Sequence, residues 1–190
     1  MKLSTEDSRT ATAAVERAYR ATRSGGTPAW LVPLQDQALA AFARSGFPTA
    51  RHEDWKYTNL ARLAGISGEL LEKSAHAADT GNFAESVGRL PRRTGDYTLV
   101  FVNGRFHPAL SELPDGADGI RVTTLAQATD EDRERFSDWI GSSTDADMAA
   151  FAALNTAFLT DGICIDILPD TQPAAALHVI FVTDGPPIGT

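Results

Sequence analysis

Apolar residues recur at three- and four-residue spacing through the first part of the chain and at alternate positions through much of the last part. The period therefore changes from that of a helix to that of a strand. Val15, Ala18, Tyr19 and Thr22 line one face of a helix predicted over 11–23, which Ser24-Gly25-Gly26-Thr27-Pro28 breaks. A second helix is predicted from Pro33, whose missing N–H would lack an intrahelical partner in a first turn anyway. It carries Leu34, Ala38, Ala41 and Phe42 on one side and stops at Gly46 and Pro48. Thr58 is expected to cap a short helix bearing Leu60 and Leu63, with Gly65 as its end. From 67 to 93 the apolar residues thin out to Leu70, Leu71, Phe83, Val87 and Leu90, enough for one helix and a loop.

Beyond that point, the β-branched and aromatic run Tyr97 to Val102 followed by Asn103-Gly104 and Arg105-Phe106 predicts a hairpin with a tight turn. A further strand is expected over 120–124 and a helix over 130–140, whose acidic first turn suits the helix dipole. Met148, Phe151, Leu154 and Phe158 mark another helix over 147–159. Ile163, Ile165 and Ile167 alternate with Cys164 and Asp166, and Leu177 to Val182 follows across a turn, which suits a sandwich or a solenoid. Two regions result, a helical one over 1–93 and a β-rich one with two helices over 94–190.

A hydrophobic fraction of 43% over 190 residues is enough for a real core. The formal charge of -8 argues against nucleic acid or anionic lipid as the partner of the surface at large. Arg89, Arg92 and Arg93 cluster around Pro91 and read as a solvated linker. With one cysteine, Cys164, no intramolecular disulfide can form, and no apolar leader opens the sequence, so a cytoplasmic protein is expected. No apolar run reaches the roughly 20 residues of a membrane-spanning helix.

Candidate chemistry is sparse. His52, His76, His107 and His178 are dispersed and lack the pairing that puts two metal ligands on one helix face. Neither a phosphate-cradling glycine loop nor a nucleophile elbow is present. Asp161, Asp166 and Asp170 could line a β-solenoid as the carboxylates of a carbohydrate-active enzyme, although turn preference explains them equally. The densest block is Arg51-His52-Glu53-Asp54-Trp55-Lys56-Tyr57-Thr58, which mixes both charge signs with two large aromatics. Packing by Trp55 and Tyr57, with the charges paired or in water, is the plainest role for it. A partner contact comes next, and a nucleic-acid contact through Arg51, Trp55, Lys56 and Tyr57 is opposed by the net charge.

Pro48, Arg51, Glu53 and Trp55-Lys56-Tyr57-Thr58, then Leu99-Val100-Phe101-Val102-Asn103-Gly104 with Ser111 and Leu113, then Leu154-Asn155-Thr156-Ala157-Phe158 with Asp161-Gly162, resemble in the same order the N-terminal half of the SufD family. This is a scaffold family of the Suf iron-sulfur cluster assembly machinery, and the resemblance runs over roughly 48–167. The related SufB subunit is similar in the later β region, but the Trp55 block is more like SufD. The resemblance implies an α+β chain, with an N-terminal helical region followed by the start of a right-handed parallel β-helix. It also implies a scaffold with no catalytic site, no metal site and no cofactor of its own, cluster chemistry arising only in the complete complex with SufB and SufC. The family motif Arg51, Glu53, Trp55, Lys56, Tyr57 and Thr58 is expected to be structural or a subunit contact. Family members are longer, and Pro186-Pro187-Ile188-Gly189-Thr190 is turn-like, so a cut chain with an open last coil is expected to self-associate.

Overall fold

The computed structural model describes residues 3–22, 27–76, 83–91, 93–114, 119–137, 139–140, 149–173 and 175–183. The expected break at Ser24 to Gly26, Arg92 of the basic cluster, Met148 and the closing Pro186 to Thr190 lie outside these residues. Helix and sheet segregate into an α+β arrangement of two compact units. The first unit spans residues 1–76 and 129–160, and the second spans 77–128 and 161–190. The chain thus leaves the helical unit after residue 76, builds part of the sheet, and returns to the helical unit at residue 129.

Helix α1 (Thr5–Thr22) begins earlier than its apolar face suggests. The Ser4 hydroxyl accepts the Asp7 N–H at 3.1 Å, while the Asp7 carboxylate accepts the Ser4 N–H at 3.2 Å and the Ser4 hydroxyl proton at 2.6 Å. This reciprocal capping box satisfies donors that would otherwise be orphaned at the helix start. The bond from the Ser4 hydroxyl, then that from its N–H, holds the Asp7 carboxyl below the usual carboxylate range. Val15, Ala18 and Tyr19 are buried as the spacing predicts. Helix α2 (Val32–Ser45) holds Pro33 in its first turn and ends at Gly46, whose left-handed φ of 64° lets its N–H reach Phe42 O at 2.7 Å.

Helix α3 (Ala61–His76) does not stop at Gly65. Gly65 faces open space and is tolerated inside the helix, whereas Gly68 lies under α1, where a Cβ would come within 2.8 Å of Ala14 Cβ. The expected cap also moves, since the Asn59 side chain, not Thr58, accepts the Ala61 N–H at 3.1 Å.

Helix α4 (Ala84–Gly88) belongs to the second unit, while α5 (Asp130–Ser137) and α6 (Ala149–Ala157) belong to the first. Thr129 and Asp132 repeat the capping box at the start of α5. α1 packs on α3 and α2 on α6. Phe42 and Phe47 meet edge to face at 5.1 Å in the centre of the helical core, both essentially free of solvent. Burial of each such ring stabilises the fold by about 1.5–3 kcal/mol. Buried Gln35 donates from Nε2 to Leu159 O at 2.7 Å, and Phe158 meets Tyr19 edge-on at 5.8 Å. These contacts hold α6 in the helical unit across a long separation in sequence.

In the second unit β1 (Tyr97–Val102) turns through Asn103 and Gly104, both at positive φ, into β2 (Arg105–Phe106), as the Asn-Gly signal predicts. β3 (Ile120–Thr124) pairs antiparallel with β4 (Ile163–Ile167), and β5 (Leu177–Val182) pairs parallel with β1 from Tyr97↔Leu177 to Val102↔Val182. The last two strands thus take different partners. Val100, Val102, Ile180 and Val182 form one face of the β1–β5 pair and pack with Phe83 and Val87, the latter on α4. The opposite face carries Phe101 stacked on Phe181 at 5.2 Å. The described strands form a mixed three-stranded sheet and a two-stranded antiparallel one; no β-helix coil closes among the described residues.

Candidate functional site

Immediately after Phe47 is buried, the chain must leave the helical core and re-enter it at α3, and the charged block spans that excursion. His52 Nδ1 accepts the Thr49 N–H at 3.0 Å and the His52 N–H returns to Thr49 O at 3.0 Å. A short 3-10 turn, Glu53–Trp55, follows, closed by the Lys56 N–H on Glu53 O and the Thr58 N–H on Trp55 O. The turn directs Trp55 inward, where its ring lies 5.1 Å from that of Phe151 on α6, against the helical core.

The neighbours of Trp55 face outward. Arg51, Glu53, Asp54, Lys56 and Thr58 are exposed, and Lys56 Nζ stands 3.6 Å from Glu53 and 5.6 Å from the Tyr57 ring centroid. Such an exposed pair is worth about 0–1 kcal/mol. Tyr57, expected to pack beside Trp55, is instead 93% exposed. One residue of the motif anchors, and the others present a mixed-charge surface with an exposed aromatic ring.

The amino-terminal end of the block borders an open groove of about 670 Å³ between α1 and the end of α2. Arg51 and His52 meet there with Arg9 of α1 and Arg44 of α2. Sequence reasoning missed Arg9 and Arg44, because each is one polar residue on the outer face of its helix. Their meeting depends on the way α1 and α2 pack.

The remaining candidates have structural partners. Asp161 accepts the Phe106 N–H at 2.7 Å through one carboxylate oxygen and the Gly162 N–H at 2.8 Å through the other. Asp166 faces Arg121 across the β3–β4 ladder at 3.5 Å, and Asp170 sits in a turn at a φ of 57°. Nothing in these placements supports a carbohydrate-active centre. Cys164 is half-buried in β4, opposite Thr123. Arg89 pairs with Glu85, and Arg93 donates its N–H to Asp96 at 3.0 Å. The His76 side chain lies outside the described residues. His178 was not paired with anything from sequence, yet its Nε2 is 3.0 Å from buried Asp96, whose other oxygen accepts the Ala176 N–H at 3.0 Å. The His178 bond, then the Ala176 bond, hold the Asp96 carboxyl down at about 2. Among the described residues no three His, Cys, Asp or Glu side chains gather as a metal site, and no helix is long and apolar enough to cross a membrane.

Comparison with known proteins gives a match over residues 18–179 to the family model described as the SufBD protein N-terminal region. An iron-sulfur cluster assembly SufBD family protein of Synechocystis is 30% identical over 161 residues, covering 84% of this chain and 34% of that protein. The iron-sulfur cluster assembly protein SufD of Escherichia coli is 28% identical over 158 residues, covering 80% of this chain and 32% of that protein. The chain thus spans about a third of the length of the curated relatives it matches.

Proposed function

Because the chain belongs to the SufBD family through that family's N-terminal region, we propose that it serves as a SufD-like structural component of iron-sulfur cluster assembly, without a catalytic site of its own. The family match across residues 18–179 carries this reading. The cluster is cargo of the complete assembly, and SufB- and SufC-type subunits are the partners; the setting is the cytoplasm. The Arg51 to Thr58 block divides its work: Trp55 holds the block to the helical core, and the exposed side chains, Tyr57 above all, contact a neighbouring subunit. Support for that division is the packing of half-buried Trp55 against Phe151 beside a tyrosine that is 93% exposed.

The β-rich unit is proposed to open a right-handed parallel β-helix, a reading supported by the parallel register of β1 and β5. The apolar side chains that β4 and β5 leave in solvent favour association of this chain with itself. The direct test of the function is affinity purification of the tagged protein from its native host, followed by mass spectrometry. SufB- and SufC-type subunits should co-purify in fixed proportion, and recovery of the protein without either would overturn the assignment.

A further inference from the structure

The groove between α1 and the end of α2 concentrates positive charge in a chain whose formal net charge is -8. Arg9, Arg44 and Arg51 come from three separate segments, and Glu16 is the one carboxylate among the described lining residues. No hydrogen bond or ion pair among the described residues engages any of the three guanidinium groups. Unpaired arginines gathered on an otherwise acidic surface attract and orient an anionic partner.

The floor of the groove narrows the choice of anion. Gly46 lies so close to α1 that a Cβ there would come within 3.1 Å of Ser8 Oγ and 3.2 Å of Thr12 Oγ1. Both hydroxyl protons are already committed, that of Ser8 to Phe47 O at 2.8 Å and that of Thr12 to Ser8 O at 2.8 Å. The floor therefore offers lone pairs. It also adjoins the C-terminal end of α2, where the helix dipole is negative. A compact phosphate, which binds best where several N–H groups converge, finds the wrong polarity there. Separate carboxylates spaced along a flexible chain can instead each meet one guanidinium in a two-pronged bond at the rim. A volume of about 670 Å³, open to solvent, has room for several residues of such a chain.

We propose that this groove docks a carboxylate-rich polypeptide segment of another protein, with Arg9, Arg44 and Arg51 as its anchors. The inference stands on the groove alone and holds whether or not the protein acts in cluster assembly. Its test is fluorescence anisotropy of the 190-residue chain with a fluorescein-labelled oligoglutamate peptide. Saturable binding that weakens with salt is expected. The Arg9→Gln/Arg44→Gln/Arg51→Gln variant should lose about tenfold in affinity, the scale of three exposed charge pairs. An Arg17→Gln/Arg20→Gln variant, altered on α1 outside the groove lining, should bind as the parent does. The far-UV circular dichroism of all three proteins should coincide, since the substituted side chains are exposed. Equal losses in both variants would mean attraction by overall charge and would overturn the site. So would unchanged affinity in the triple variant, or absence of binding by the parent. Displacement of the peptide by inorganic phosphate at the peptide's own concentration would overturn the polypeptide assignment in favour of a compact anion.

Discussion

Trp55 and Tyr57 sit two positions apart in one turn and face opposite environments, one against Phe151 and the other 93% exposed. Their truncations should therefore separate cleanly. Trp55→Ala should cost about 2–4 kcal/mol, toward the lower part of the usual range for a large aromatic because Trp55 is only half-buried. Tyr57→Ala should stay within about 0.5 kcal/mol of the parent. Urea unfolding followed by far-UV circular dichroism measures both, and equal losses would contradict the inward and outward assignment. Asp96 supplies a residue-scale test of a different kind. Its carboxyl, lowered from 3.8 to about 2 by the His178 and Ala176 bonds, is more acidic in the folded state than in the unfolded chain. The ionised form is thus favoured by folding, so its contribution is complete above pH 3.8 and is lost as pH falls through about 2. The stability gap between the parent and Asp96→Asn should be fully open just above that window and close within it. A gap that persists unchanged to pH 2 would sink the pairing.

At the scale of elements, the two glycines of α3 make opposite predictions although only three positions separate them. Nothing lies within 4 Å of a Cβ at Gly65, so Gly65→Ala should stabilise the protein by about 0.5–1 kcal/mol through helix propensity alone. At Gly68 the same change meets Ala14 Cβ at 2.8 Å and forces α1 and α3 apart, outweighing the propensity gain. Thermal melts of both variants decide the matter, and a Gly68→Ala protein as stable as Gly65→Ala would show that the two helices do not meet there. These glycines also mark what sequence could and could not convey. The Asn103-Gly104 hairpin, the α1 face of Val15, Ala18 and Tyr19, and the end of α2 at Gly46 depend on local rules, and local rules found them. Gly65 resembled a helix stop because a glycine that ends a helix and one that merely sits on its open face look alike in sequence. The start of α1 at Thr5 was missed because Ser4 and Asp7 precede the first turn of its apolar stripe. Trp55 was legible as an anchor from its size and setting. Its partner Phe151, and the meeting of Arg9 with Arg44 and Arg51, depend on contacts between segments far apart in the chain.

Across the whole chain, α6 returns to the helical unit through Gln35, Tyr19 and Phe47, while β1 receives β5 in parallel register after a long excursion. In β4 the alternating isoleucines are open at one end, Ile165 being 39% and Ile167 60% exposed, followed by Leu168 at 50%. In β5, at the edge of its sheet among the described strands, Val179 is 41% and Phe181 72% exposed on the face opposite the α4-covered one. Apolar side chains beside unpaired strand backbone form a template for another strand. The 190-residue chain should therefore sediment and scatter light as more than a monomer as its concentration rises. Ile167→Lys and Phe181→Lys should each shift the equilibrium toward monomer, because a lysine on a strand edge imposes a charge that the paired state must desolvate. Ile167 is solvent-exposed, so Ile167→Lys should leave the melting temperature close to that of the parent at low concentration, which separates loss of association from loss of fold, whereas Phe181→Lys also gives up the stacking on Phe101 and should melt slightly lower. A strictly monomeric parent at high concentration would remove the basis for self-association. An oligomer indifferent to both lysines would move its interface away from β4 and β5.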